Sequence, residues 1–143
     1  MPIPDEHREF LENHRLAVFG FARNDGPPSL TPVYYFIDGD EIVVSTTESR
    51  TKAKAVRRNP QVSICVLEEN QPFPYLTVFG EARIETDGAA GVMARLAEVM
   101  SGNPLPDAAR PALEQRAKDE GRVVMRVKPL QFVSTRTVGP KSA

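Results

Sequence analysis

The chain has 143 residues, of which 41% are hydrophobic and 26% charged, and its formal net charge is −1. This size and composition are typical of one globular domain with its own core, which we expect to span residues 1–143. The near-neutral charge argues against a protein that coats nucleic acid, and a single cysteine excludes an internal disulfide framework. No apolar stretch resembles a signal peptide or approaches the roughly 20 residues of a membrane span, so we expect a cytoplasmic protein without a membrane partner.

Taken in chain order, the apolar patterns predict a mainly β protein with peripheral helices. The predicted helices cover residues 5–13, 51–59, 89–100 and 111–120. The predicted strands cover residues 16–22, 30–37, 41–46, 62–67, 75–85, 123–127 and 132–138. Because most of these strands follow one another through short turns, the sheet should be mainly antiparallel and close into a β-barrel.

Four local features add detail to this outline. The Asp38-Gly39 pair predicts a tight hairpin turn, since glycine adopts positive φ values without strain. Gly80 interrupts a long apolar strand and predicts a bulge or a close backbone approach. Gly121 stands where a helix would end, and Cys65 lies in an apolar strand pattern that predicts a core thiol.

The most informative segment runs from Ser45 to Asn59, where a strand ends and a basic helix begins. The segment contains one acidic residue, Glu48, and five cationic residues, which are Arg50, Lys52, Lys54, Arg57 and Arg58. Free backbone N–H groups and the positive end of the helix dipole favour an anion at such a helix start, and Ser45, Thr46 and Ser49 add hydroxyl donors. The segment predicts a phosphate site, although much of the basic face could simply be solvated.

Lys52 stands apart from the other cations of this segment. On a helical projection it lies in the direction of Val56, so it should lean toward the sheet. It also occupies the first helical turn, where the dipole disfavours a cation unless an anion is close. Two interpretations remain open: the ammonium binds a phosphate, or the stem packs and the ammonium reaches back to water.

Three consecutive aromatic residues follow Thr31-Pro32-Val33 on the second predicted strand. Strand alternation places Tyr34 and Phe36 on one face and Tyr35 with Val33 on the other. One set should fill the core, and the other could line a pocket for a flat ring or a subunit interface. Periodicity alone does not decide which.

The sequence offers no motif for nucleophilic or metal chemistry. It contains no G-x-G-x-x-G, P-loop or G-x-S-x-G pattern, and its two histidines have no metal-ligand spacing. No pair of carboxylates stands out as an acid and base, so no catalytic residue is assigned. A reactive group would have to come from a bound cofactor.

Taken together, residues 38–66 and residues 75–83 resemble the split β-barrel proteins of the pyridoxamine 5′-phosphate oxidase-like superfamily, whose fold is FMN-binding split-barrel-like. The similar features are the strand of residues 41–46, the Arg50-x-Lys52 step, the Arg57-Arg58-Asn59-Pro60 helix end, and the later strand with its central Gly80. Within this superfamily the chain is most similar to the flavin/deazaflavin oxidoreductases that use coenzyme F420. The resemblance covers roughly residues 10–137.

The resemblance implies a homodimer with cofactor sites at the subunit interface. Carried over by position, Arg50 and Lys52 would hold the cofactor phosphate, with Ser45, Thr46 and Thr51 close by. The residues that would follow the ring edge are Thr31, Pro32, Val33 and Tyr34. Arg57, with Arg58, would meet the acidic tail of F420, and Tyr75 and Phe79 would reach the site from the partner subunit.

The activity implied is hydride transfer from reduced F420 to an unsaturated small-molecule acceptor, with Tyr34 or solvent as the proton donor. An FMN-dependent oxidoreductase of the same superfamily is the first alternative, since FMN also presents one phosphate and three fused rings. A non-catalytic protein that carries F420 or flavin is the second. Binding of single-stranded nucleic acid by a basic patch is disfavoured by the net charge of −1.

Overall fold

The computed structural model describes residues 2–135. Its strands are β1 (Leu16–Phe21), β2 (Ser29–Tyr34), β3 (Phe36–Asp38), β4 (Glu41–Thr47), β5 (Gln61–Leu67), β6 (Tyr75–Glu85) and β7 (Arg122–Ser134). Its helices are α1 (Asp5–Glu12), α2 (Thr51–Arg58), α3 (Ala89–Ser101) and α4 (Arg110–Glu120), with a short 3-10 turn at Asp107–Ala109. The predicted helices and most predicted strands are confirmed within one to three residues at each end.

The strands form one seven-stranded sheet in the order β2-β1-β5-β6-β7-β4-β3. Every pair of neighbours in this sheet is antiparallel. The prediction of a mainly β, antiparallel architecture with peripheral helices is therefore confirmed. The predicted hairpin turn is also present, with Gly39 at φ 61°, as is the helix end at Gly121 with φ 63°.

The prediction of one strand over residues 30–37 is wrong. The chain instead leaves β2, at one edge of the sheet, and enters β3, at the other edge, with only Tyr35 between them. Tyr35 is buried, its N–H donates to the carbonyl of Arg15 and its hydroxyl donates to the carbonyl of Leu11 at 2.6 Å. The sheet thus curls into a split barrel whose two edges are joined by the chain itself.

The prediction of two strands at the C-terminal end is also wrong, since residues 122–134 form one continuous strand. The Lys128-Pro129 pair suggests a break because proline cannot donate to a strand ladder. The structure accommodates it at a bulge, where Gly80 faces Pro129 while Phe79 faces Gln131. A Cβ atom on Gly80 would lie 2.5 Å from the Lys128 carbonyl oxygen, so the predicted close approach is confirmed. The predicted end of this strand, residues 136–138, lies outside the described residues.

Two apolar clusters stabilise this arrangement. The larger one fills the inside of the curled sheet and includes Phe19, Tyr35, Ile64 and Val78. The smaller one packs α3 and α4 against the outer face of β3, β4 and β7. Helices α3 and α4 therefore form a wall beside the end of β4, where the basic helix α2 begins.

Cys65 is not part of the core, contrary to the prediction. The inward positions of β5 are Val62, Ile64 and Val66, and Cys65 lies between them on the outer face, half-buried. None of the helices between residues 2 and 135 is long and apolar enough to cross a membrane.

Candidate functional site

The end of β4 leads through a three-residue turn into α2. The turn is fixed by the N–H of Arg50, which donates to the carbonyl of Thr47 at 3.1 Å. Arg50 occupies the N-cap position with extended backbone angles, and no side chain of the described residues caps the first turn. The first amide groups of α2 therefore keep their capacity to donate to a ligand.

A cavity of about 610 Å³ opens beside this helix start. Its lining residues come from β2, β4, the start of α2, the two outer helices and the first residue of β7. They are Pro32, Val33, Tyr34, Ser45, Arg50, Lys52, Met93, Leu96, Ala97, Met100, Ser101, Leu113, Arg116 and Arg122. Four of these side chains are cationic and none is acidic, so the cavity is suited to an anionic ligand with an apolar body.

Lys52 is the most unusual residue of this cavity. Its side chain is buried, with 9% of the residue exposed, and within residues 2–135 no hydrogen bond or ion pair reaches its ammonium. Burial lowers the pKa of Lys52, and the nearby charge of Arg50 lowers it further. A charge on a largely buried side chain without an anionic partner destabilises the free protein, and a bound anion would offset this.

The predicted inward lean of Lys52 is confirmed by its burial. The structure also brings six of the predicted site residues together around one cavity, namely Pro32, Val33, Tyr34, Ser45, Arg50 and Lys52. Strand alternation separates the two neighbouring hydroxyls of β4. Ser45 lines the cavity, whereas Thr46 is buried on the opposite face and its hydroxyl has no partner within residues 2–135.

Four other predicted residues lie outside the lining of this cavity. Thr51 is exposed at the start of α2. The hydroxyl of Thr31 is buried without a partner in the described part of the chain. Arg57 forms an ion pair with Glu48 at 2.9 Å on the exposed side of α2, and Arg58 donates a long hydrogen bond to the carbonyl of Ala22.

Tyr75 and Phe79 lie on the outer face of β6, where 37% and 40% of each residue is exposed. Ladder partners connect this face across five strands. One row is Pro32, Val18, Cys65, Thr77 and Val133, and the next is Leu30, Gly20, Ser63, Phe79 and Gln131. No position in these rows is charged, and the first row begins at the cavity.

Sequence reasoning missed Arg116 and Arg122, the two cations that line the cavity from α4 and β7. Arg122 is the first residue of β7, opposite Thr47 of β4 in the ladder. It follows Gly121, which ends α4 in the left-handed conformation. Only the pairing of β4 with β7 brings it to the basic helix start, so no local pattern could have identified it.

A larger groove, of about 780 Å³, lies between α1 and α3. Its two arginines are already engaged: Arg15 donates to the carbonyls of Val99 and Met100, and Arg95 stacks on the ring of Phe36 at 4.3 Å. None of the predicted site residues lines it. The cavity at α2 therefore remains the better candidate.

Comparisons with known proteins agree with this assignment of the fold. Residues 3–135 match the family described as pyridoxamine 5′-phosphate oxidase. A conserved hypothetical protein from Mycobacterium tuberculosis is 25% identical, with a TM-score of 0.81, over 92% of this chain and 84% of that chain. An F420 reductase is 24% identical, with a TM-score of 0.73, over 92% of this chain and 98% of that one.

A putative pyridoxamine 5′-phosphate oxidase from Listeria innocua is 22% identical, with a TM-score of 0.70, over 93% of this chain and 98% of that one. None of the curated proteins compared matches the chain significantly. The family match covers nearly the whole chain and the structural matches share its split-barrel fold. The chain belongs to the family described as pyridoxamine 5′-phosphate oxidase.

Proposed function

We propose that the protein is an F420-dependent oxidoreductase. The observation that supports this proposal most strongly is Lys52, a largely buried lysine whose ammonium has no anionic partner in residues 2–135, beside Arg50 in a cavity whose described lining contains no acidic residue. A phosphate group fits this donor set, because two cations and the free amides of a helix start would surround it. When bound, reduced F420 supplies a hydride for an unsaturated organic acceptor.

In this proposal the residues of the chain bind the cofactor and orient it. Arg50 and Lys52 would hold the phosphate end, and Ser45 would donate a hydrogen bond from its hydroxyl. Val33 and Tyr34 would flank the ring system, and the helix wall would exclude water from its far side. The protein would contribute to the reaction by positioning the cofactor and by surrounding it with a partly dry, positively charged environment.

We further propose that two copies of the chain pair through the outer face of β2, β1, β5, β6 and β7. The charge-free rows of this face include exposed Leu30 and Phe79, and Pro32 and Tyr34 connect the face to the cavity. Exposed apolar patches of this kind mark protein interfaces. A second copy would bring its own Tyr75 and Phe79 toward the open side of the cavity.

Replacing Thr77 by glutamate tests this pairing, because Thr77 lies at the centre of the face between Cys65 and Val133. The proposal expects a dimer for the natural sequence and a monomer for Thr77→Glu by sedimentation velocity. Ala112→Glu is the matched control, since it adds the same charge on the exposed side of α4. A natural sequence that sediments as a monomer would contradict the pairing.

The oxidoreductase proposal is tested by titrating F420 and FMN against the same preparation and then assaying hydride transfer to enone and quinone acceptors. The proposal expects F420 to bind and reduced F420 to be consumed in repeated turnovers. Tight binding of FMN without F420 would favour an FMN-dependent oxidoreductase instead. Binding of F420 without turnover of any acceptor would favour a cofactor carrier.

A further inference from the structure

Arg122 lines the same cavity from the first position of β7. Its Nε donates to an oxygen of Glu120 at 3.3 Å, and its Nη1 lies 3.5 Å from the hydroxyl of Ser45, at the long limit of a hydrogen bond. Only 18% of its side chain is exposed. Within residues 2–135 these are its contacts, so the outer nitrogens of the guanidinium keep most of their donor capacity.

Glu120 is shared between two guanidinium groups. It accepts from Arg122 and also from Nε of Arg116, at 3.0 and 3.2 Å. The hydrogen bond from Arg116, followed by that from Arg122, lowers the pKa of Glu120, which therefore stays ionised at neutral pH. One carboxylate faces two cations, and this group retains a net positive charge.

This positive charge lies on different elements from the two cations of the phosphate end. Arg50 and Lys52 lie at the start of α2, whereas Arg116 and Arg122 lie on α4 and at the start of β7. Within residues 2–135 the second pair shares one carboxylate, that of Glu120, so it can bind a further anion. Leu113 and Leu96 stand beside the second pair on the helix wall, so its ligand would combine an anionic group with an apolar neighbourhood.

We propose that Arg122, supported by Arg116 and Glu120, binds a carboxylate of the ligand at a second subsite of this cavity. The guanidinium fork matches a carboxylate with two parallel hydrogen bonds, and a partly buried position strengthens them. This inference rests on the proposed function, since the first subsite holds the cofactor phosphate. The carboxylate belongs either to the cofactor, as in F420, or to an acceptor that is an organic acid.

The test compares the natural sequence with Arg122→Gln, Arg122→Lys and the control Arg110→Gln. Arg110 is an exposed arginine of α4 that does not line the cavity. Each protein is titrated with F420, which carries carboxylates, and with FMN, which carries none. The protein loaded with FMN or F420 is then titrated with cinnamate and with methyl cinnamate, which lacks the charge.

If the carboxylate is that of the cofactor, Arg122→Gln weakens F420 binding at least about tenfold and leaves FMN binding unchanged. If it belongs to the acceptor, both cofactors bind as before, and cinnamate loses at least about tenfold in affinity while methyl cinnamate does not change. In either case Arg122→Lys retains part of the affinity, because it keeps the charge but not the fork. Arg110→Gln should behave like the natural sequence.

Two results overturn the inference. In one, Arg122→Gln binds F420, FMN and cinnamate as the natural sequence does. In the other, Arg122→Gln weakens the binding of F420 and of FMN equally, which would show that Arg122 binds the phosphate or stabilises the structure of the site. If the natural sequence binds neither cofactor, the proposed function itself fails and the second subsite fails with it.

Discussion

Replacing Lys52 by methionine should weaken cofactor binding and at the same time stabilise the free protein. Methionine fills a similar volume without a charge, and Lys52 has 9% of its surface exposed with no partner for its ammonium in residues 2–135. Loss of one charge-assisted hydrogen bond to a phosphate costs about 2 kcal/mol, or roughly 30-fold in affinity. Removal of the unpaired charge from this largely buried side chain should raise the free energy of unfolding by up to about 1 kcal/mol.

Two assays measure these opposite effects. Fluorescence titration with F420 gives the affinity, and urea denaturation of the free protein gives the free energy of unfolding. Lys54→Met is the matched control, since Lys54 lies on the exposed side of the same helix and outside the cavity lining. It should change either quantity by less than about 0.5 kcal/mol.

The two effects must occur together for the reasoning to hold. Unchanged affinity in Lys52→Met would show that the phosphate lies elsewhere. A loss of stability beyond about 1 kcal/mol would show instead that the ammonium serves the fold, as expected for a residue whose removal breaks a buried contact. Either result refutes the assignment of Lys52 as an anion ligand.

Three further predictions follow from the described contacts. Burial lowers the folded pKa of Lys52 below its usual 10.5, so the free energy of unfolding measured in urea should gain a contribution from Lys52 as pH rises from that folded pKa toward 10.5. F420 affinity should fall as pH rises through the folded pKa, because a neutral amine no longer attracts the phosphate, and both trends should be weaker in Lys52→Met; equal trends in the two proteins would contradict this. Gly80→Ala should lower the free energy of unfolding in urea by about 2–4 kcal/mol, because the new Cβ would lie 2.5 Å from the Lys128 carbonyl oxygen. Gly91 has open space around it, so Gly91→Ala should leave that free energy unchanged or raise it by up to about 1 kcal/mol; equal effects of the two changes would contradict this. Tyr35→Phe should lower the free energy of unfolding by about 1–2 kcal/mol in the same measurement, because it removes the hydrogen bond that the hydroxyl donates to the Leu11 carbonyl. This phenol is buried, which also raises its pKa, and an unchanged free energy of unfolding would show that the hydrogen bond is dispensable.

The local features of this fold could be predicted from the sequence. Helix α2, the Gly39 turn and the bulge at Gly80 each follow from a few neighbouring residues and their backbone preferences. The inward lean of Lys52 follows from helix periodicity in the same way. Helix α2 and the orientation of Lys52 together form most of the proposed phosphate end of the site.

The long-range features could not be predicted in this way. The apolar run around Tyr35 forms two strands at opposite edges of the sheet. Inward and outward side chains alternate in the same way whether or not the chain changes edges, so the pattern does not reveal the break. Arg122 reaches Ser45 across 77 positions through the β4–β7 ladder. Pro129 is compatible with a continuous strand only because Gly80 of another strand faces it.

The most direct test of the account is a binding titration of F420 and FMN against the natural sequence and Lys52→Met. The account predicts that F420 binds the natural sequence, more tightly than FMN does, and that Lys52→Met weakens it roughly 30-fold. Failure of F420 to bind, or equal binding by both proteins, would contradict it.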